Sequence, residues 1–368
     1  MLALRLARGS GPLVLLRRLL VAAASAGVGI LLLCGLGYAV GHPARPAGAG
    51  LRLLWCLIPL AATVRLAAAV ARTDPSIRPS QGATAAGLGP AGRAVLSAVS
   101  AALTCALGSG LALLFFLHLR NGAAARLPGA GSPLPMPAAL LLLASAPVAA
   151  AVSSAWAVRQ RRPVPEDATP RGLIRGVALV AAGLAAEAYG GSRAGGAALP
   201  VHGRFGGGAT VVAAGWSLTA LGLAVVGPAL THGCGLLLQC VRPGVVRLLA
   251  GRVLQAEAHR IGRPLGVCCA VASGIVAASV LHGAGTRLAG PLTALGAALV
   301  VACSAATLLS AAVEARQDRA PTTAALLRGF APAGVLRSAA VLRAATLLSV
   351  FAGVTWAVAV LAAAPLPR

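Results

Sequence analysis

This chain reads as an all-α polytopic membrane protein, with about nine transmembrane helices in two related units joined by a two-helix linker. Three observations lead there. Of 368 residues, 58% are hydrophobic and only 10% charged, with a mean hydropathy of +0.87, whereas a soluble domain carries about a quarter charged residues. The apolar residues come in runs of about 20, the length a helix needs to cross ~30 Å of hydrocarbon; the ~10-residue alternating segments of a β-barrel are absent. Finally, Gly87-Leu88-Gly89-Pro90-Ala91-Gly92 returns 242 residues later as Gly329-Phe330-Ala331-Pro332-Ala333-Gly334. The same offset sets Arg5 on Arg247, Gly9 on Gly251 and Arg18 on Arg260.

The spans follow in order. The first, 19–41, begins after Arg17-Arg18, and its run continues to about Val40, longer than a signal peptide's apolar core, so it is expected to be a retained helix. Next come 53–71, 94–118 and 136–157. The fifth, 173–189, is the least apolar, with Arg175 near its start and Glu187 near its end. The sixth is 209–230. The last three, 264–282, 290–313 and 338–362, fall on the first three at the common offset. This divides the chain into a first unit of four spans (1–158), a two-span linker (159–238) and a second unit of three spans (239–368) that lacks the last helix. Such internal repeats recur among transporters.

Arginine sets the orientation. Segments 1–18, 72–93, 159–175, 239–263 and 314–337 hold 21 arginines, and the opposite segments with the C-terminal end hold 8. The first set is therefore expected in the cytoplasm, with the N-terminus inside and the C-terminus outside. Residues 242–263 put Val246, Leu249, Val253 and Leu254 on one side and Arg247, Arg252, Glu257 and Arg260 elsewhere. That pattern predicts an amphipathic helix lying on the membrane before the seventh span. The outer connections 119–135 and 190–208 are rich in Gly, Ala and Pro.

The net charge of +24 does not point to nucleic acid, because the arginines are dispersed in short loops and few aromatics are present to stack bases. The chain has no lysine, so it cannot form the Gly-x-x-x-x-Gly-Lys-Ser/Thr phosphate loop. Gly206-Gly207-Gly208 precedes an apolar run and is no phosphate cradle. His232, Cys234 and Cys240 match no zinc spacing and lack a fourth ligand. The eight cysteines read as small buried hydrophobes, without a structural disulfide. The acids are spread over separate loops, so no catalytic group, metal ligand or cofactor site is expected.

Two features remain. The segments 72–93 and 314–337 each combine acid, arginine and the Gly-x-x-Pro-Ala-Gly turn, which suits docking of a cytoplasmic protein. The candidate docking residues are Asp74, Arg78, Leu88 and Gly89 in the first, and Asp318, Leu326, Leu327, Arg328 and Phe330 in the second. The other feature is charge within spans, which costs at least ~2.5–3.5 kcal/mol near the bilayer centre. Arg65 lies seven residues from Arg72, roughly 10 Å along a helix, where snorkelling to the surface and a functional role account for it equally well; Arg343 is closer still to its loop and is expected to snorkel. Glu187 is near the outer end of its span and within reach of the interface.

The second of these segments reads Ala324-Ala325-Leu326-Leu327-Arg328-Gly329-Phe330-Ala331, the first Ala83-Thr84-Ala85-Ala86-Gly87-Leu88-Gly89, and the helix after the first contains Gly108-Ser109-Gly110. This resembles the FtsX/MacB-type permease family of ABC transporters, in its larger members with two permease units per chain. Gln81 and Thr323 stand about where the family has a glutamate. The resemblance implies a permease subunit that is not itself an enzyme, a cytoplasmic ABC ATPase, acting as a dimer, as its partner beside the lipid bilayer, and a bacterial plasma membrane as its location. A proton-coupled secondary carrier titrating Glu187 is the alternative, and a non-transport membrane scaffold comes third.

Overall fold

The computed structural model describes residues 12–41, 46–73, 90–121, 135–159, 169–193, 207–240, 244–282, 291–328 and 333–363. They form nine α-helices: α1 (Pro12–Gly41), α2 (Pro46–Thr73), α3 (Pro90–Asn121), α4 (Met136–Arg159), α5 (Thr169–Arg193), α6 (Gly207–Cys240), α7 (Val245–His282), α8 (Pro291–Arg328) and α9 (Ala333–Ala363). No strand occurs among the described residues. All nine are long and apolar enough to cross a membrane, so the chain is an all-α, multi-pass membrane protein. Proline opens α1, α2, α3 and α8, where its missing N–H would have had no intrahelical acceptor.

The surface confirms the solvent. Leu107 on α3, Leu141 on α4 and Leu348 on α9 are 67%, 76% and 70% exposed. Long rows of such residues would be an aggregation liability in water; hydrocarbon accepts them. Since lipid is as apolar as leucine, helices associate instead through close packing of small residues and hydrogen bonds between helices.

The chain divides into two compact units. One comprises residues 1–163 with 291–310, the other 164–290 with 311–368, so the two portions of α8 count with different units. In the first, α1 packs against α2 and α3, and α4 against α2 and α3. Two apolar clusters hold it, one around Val21, Leu66, Ala101, Cys105 and Cys303, the other around Leu33, Cys34, Phe116 and Leu143. Gly108 sets the approach of α3 to α1: a Cβ there would stand 2.2 Å from the Ala22 carbonyl oxygen. Beside it, Ser25 Oγ donates to the Cys105 carbonyl at 2.8 Å.

In the second unit, α5 packs on α6, α6 on α7, and α7 on α9. The helices anticipated as a linker, α5 and α6, are thus part of this packed unit. The α6–α7 contact is antiparallel and long: Gly235 meets Gly251, Gly227 meets Gly262, Leu223 meets Gly266 and Trp216 meets Gly274. The amphipathic segment expected before the seventh span is no separate helix, because α7 runs unbroken from Val245 to His282; the side of it that meets α6 is that of Gly251, Gln255 and Gly262. Likewise α8 continues to Arg328, so the segment expected as a loop after residue 313 is helical up to that point.

Some helix limits keep the 242-residue offset and others do not: α2 shifted by it would cover 288–315 against the observed 291–328 of α8, and α1 would begin at 254 against 245 for α7. Shifted by it, α3 covers 332–363 against the observed 333–363 of α9, and the end of α1 at Gly41 falls one residue beyond the end of α7 at His282. The crossings correspond on the α3 and α9 side, whereas Cys269 is the counterpart of Gly27 and not of Ser25. Ser25 lies 3.3 Å from Ser109 between α1 and α3. Cys269 donates to the Phe351 carbonyl between α7 and α9 at 3.7 Å, and Phe351 is the counterpart of Ser109 at that offset.

Candidate functional site

The residue that the fold treats most distinctively is Glu187. On α5, Gly176, Val180, Gly183 and Glu187 recur at helical spacing along one face, and on α6 Gly215, Thr219, Gly222 and Val226 do the same. The two faces run antiparallel in backbone contact. A Cβ on Gly183 would lie 2.6 Å from the Thr219 nitrogen, one on Gly215 2.8 Å from the Gly183 carbonyl oxygen, and one on Gly222 2.7 Å from the Val180 nitrogen. Only glycine admits such an approach, and dispersion along the whole face is its return.

Glu187 ends this stripe and is 6% exposed, turned toward α6 and not toward the interface that its sequence position puts within reach. The Thr219 hydroxyl donates to its Oε1 at 3.0 Å. Its Oε2 is buried and has no hydrogen-bond partner among the described residues. Gly215 makes room for the side chain, since a Cβ there would stand 2.7 Å from Glu187 Cγ. A polar group withdrawn into an apolar crossing costs free energy that a single hydroxyl offsets only in part, which separates Glu187 from an ordinary packing residue. Chemically the arrangement holds one carboxyl group in a fixed position.

A second charged group was not legible in the sequence. Arg319 Nε of α8 meets Glu257 Oε1 of α7 at 2.7 Å and also donates to the Ala315 carbonyl at 3.0 Å. Arg343 of α9 is half-buried, bonded through Nε to the Ala339 carbonyl at 3.2 Å, and near enough to feel both charges. The partners lie 62 residues apart in separate segments, so spacing carries no signal of the pair. Arg65 is exposed on the α2 face that also presents Leu54 and Ile58, from which its head can reach toward the level of Arg72.

The candidate docking residues are only partly within the described structure. Asp74, Arg78, Leu88, Gly89 and Phe330 lie outside the described residues. Asp318, Leu326, Leu327 and Arg328 belong to the backbone of α8, the last three in its final turn. No group of three or more His, Cys, Asp or Glu able to hold a metal occurs among the described residues. The cysteines are unpaired thiols, most of them buried or half-buried, with Cys240 exposed. Comparison with protein families, with curated proteins and with solved structures yields no match for this chain.

Proposed function

We propose that this chain is the membrane-spanning permease subunit of an ABC transporter in a bacterial plasma membrane, driven by a separate, dimeric cytoplasmic ATPase. What supports the reading is the recurrence of a helix contact at one offset: α1 against α3 and α7 against α9, with α3 and α9 agreeing in their limits to within one residue. An ATPase with two equivalent halves needs two equivalent places to push. Segments 72–93 and 314–337 occupy the equivalent position in each repeat, just before α3 and α9, and carry the same turn. In this reading they are cytoplasmic, as is the N-terminus, and the C-terminus is outside. ATP is hydrolysed by the partner, since a chain without lysine lacks the phosphate-loop lysine. Movement of the docked ATPase displaces α3 and α9 and so couples the nucleotide cycle to the helices beside the substrate path.

The test is a pull-down of the ATPase that accompanies the full chain. Replacing Leu326, Leu327 and Phe330 together by Ser should lower its recovery at least several-fold, as should the corresponding change at Thr84, Ala86 and Leu88. The same change at Ala123, Ala124 and Leu127 should not. Equal recovery in all three cases, or no ATPase partner at all, overturns the reading.

One observation favours a second reading, a proton-coupled carrier: Glu187 is buried in the α5–α6 crossing with a single hydroxyl partner. Transport driven by a pH gradient in vesicles without any ATPase, and lost in Glu187→Gln, would place that reading first.

A further inference from the structure

Helices α6 and α7 are too long for the membrane they cross. With 34 and 38 residues they measure about 51 and 57 Å at ~1.5 Å per residue, against ~30 Å of hydrocarbon. The excess can be located. Residues 245–263 of α7 contain Arg247, Arg252, Glu257, Arg260 and Arg263, a load that hydrocarbon does not accept, so α7 enters the hydrocarbon at about Pro264. The pairing of Leu223 with Gly266 and Gly227 with Gly262 puts that level at about residue 225 of α6. The hairpin of residues 226–240 and 245–263 therefore lies outside the hydrocarbon.

Its exposed surface is not that of a water-soluble hairpin. At the tip, Leu236, Leu237, Val245 and Leu248 are 47%, 59%, 76% and 42% exposed. From there the outer face of α7 continues at helical spacing through Arg252, Ala256, His259, Arg260 and Arg263, all exposed. Its one acid, Glu257, is off that face and engaged with Arg319. The face is apolar at one end and basic along the rest, and the basic part begins where the helix leaves the membrane. Proline stands in both helices at this level, Pro228 and Pro264, and Pro228 touches Gly262 of the partner helix. Proline is where a helix bends most readily.

We infer that this hairpin folds onto the bilayer surface as one amphipathic unit and binds anionic phospholipid. Arg252, Arg260 and Arg263 meet the headgroup phosphates, and Leu236, Leu237 and Leu248 enter the headgroup–acyl boundary. Charge selects the partner: an exposed face with arginines and no acid complements an anionic leaflet, and apolar side chains at the tip need the acyl boundary to cover them. The sequence alone suggested one surface helix; the structure makes it a pair, with α6 supplying part of the apolar tip.

Cys240, at the end of α6, is the exposed cysteine and takes a nitroxide label while the other thiols are buried or half-buried. The full chain, without any ATPase, is placed in nanodiscs of phosphatidylcholine alone and of phosphatidylcholine with about one-third phosphatidylglycerol. Relaxation by a water-soluble nickel chelate should be several-fold weaker in the anionic discs. Arg252→Gln, Arg260→Gln and Arg263→Gln together should abolish the difference. On the unaltered chain, raising salt from 0.01 M to 1 M shortens the screening length from about 30 to about 3 Å and should also restore access of the chelate. Equal access in both discs overturns the inference. So does protection that appears only when a soluble protein partner is added, which would make this face a protein-docking surface. Neither result depends on the chain being an ABC permease.

Discussion

A glycine matters here where a neighbouring backbone occupies the space its side chain would need. Gly108 and Gly110 are two residues apart on α3, yet a Cβ on Gly108 would strike the Ala22 carbonyl and one on Gly110 would meet nothing within 4 Å. Gly108→Ala should therefore force α1 and α3 apart and destabilise by about 1–3 kcal/mol. Gly110→Ala should be neutral or stabilising by up to about 1 kcal/mol, as an alanine replacing glycine in a helix. Thermal unfolding of both variants in one detergent separates them, and similar losses in the two would show that the α1–α3 crossing is not as close as described. At the same scale, Thr219 and Glu187 should be coupled by about 0.6 kcal/mol and by no more than about 1.7, the average and the maximum measured for hydrogen bonds between membrane helices. A double-mutant cycle of Thr219→Val with Glu187→Leu reads that coupling, and additive losses would mean that the bond contributes nothing.

At the scale of the element, the final part of α8 is fastened to α7 by Arg319 and Glu257, whose side chains are 33% and 13% exposed. An exposed pair contributes ~0–1 kcal/mol, and breaking a buried one costs ~3–5 kcal/mol; this pair stands between. Glu257→Gln should lower stability by about 1–2 kcal/mol, and the exchange Glu257→Arg with Arg319→Glu should recover part of it. No recovery in the exchange would place the cost in packing and not in charge. How far such elements could be read from residue order depends on what dictates them. The lengths of α3 and α4 follow from their apolar runs, and nearly coincide with the expected 94–118 and 136–157. The extension of α8 to Arg328 and the continuity of α7 through Pro264 could not be read that way. A charged stretch such as 314–328 is compatible with both loop and helix, and packing against a neighbour selects the helix. The candidate site divides similarly: the presence of a charge at Glu187 was legible, but its burial was not.

At the scale of the whole molecule, the split of 21 to 8 arginines predicts one topology. Cysteines introduced at Ser80 and Thr322 should react with an impermeant reagent only after the cells are opened. Labelling of either position in sealed cells would invert or break the topology, and with it the placing of both docking segments beside a cytoplasmic ATPase.

What residue order determined by itself was membrane residence and, among the described residues, nine helices long and apolar enough to cross. A bilayer imposes a fixed thickness, and any segment that crosses it must be apolar for about 20 residues whatever its neighbours. What only the tertiary structure decided was which faces meet. Gly183 against Thr219, Ser25 against Cys105 and Arg319 against Glu257 are pairings that no run of hydropathy encodes. In hydrocarbon the inward and outward faces of a helix are equally apolar, so periodicity, the signal that marks a buried face in water, is missing. The choice passes instead to close contact between small residues, and that exists only once the helices are side by side.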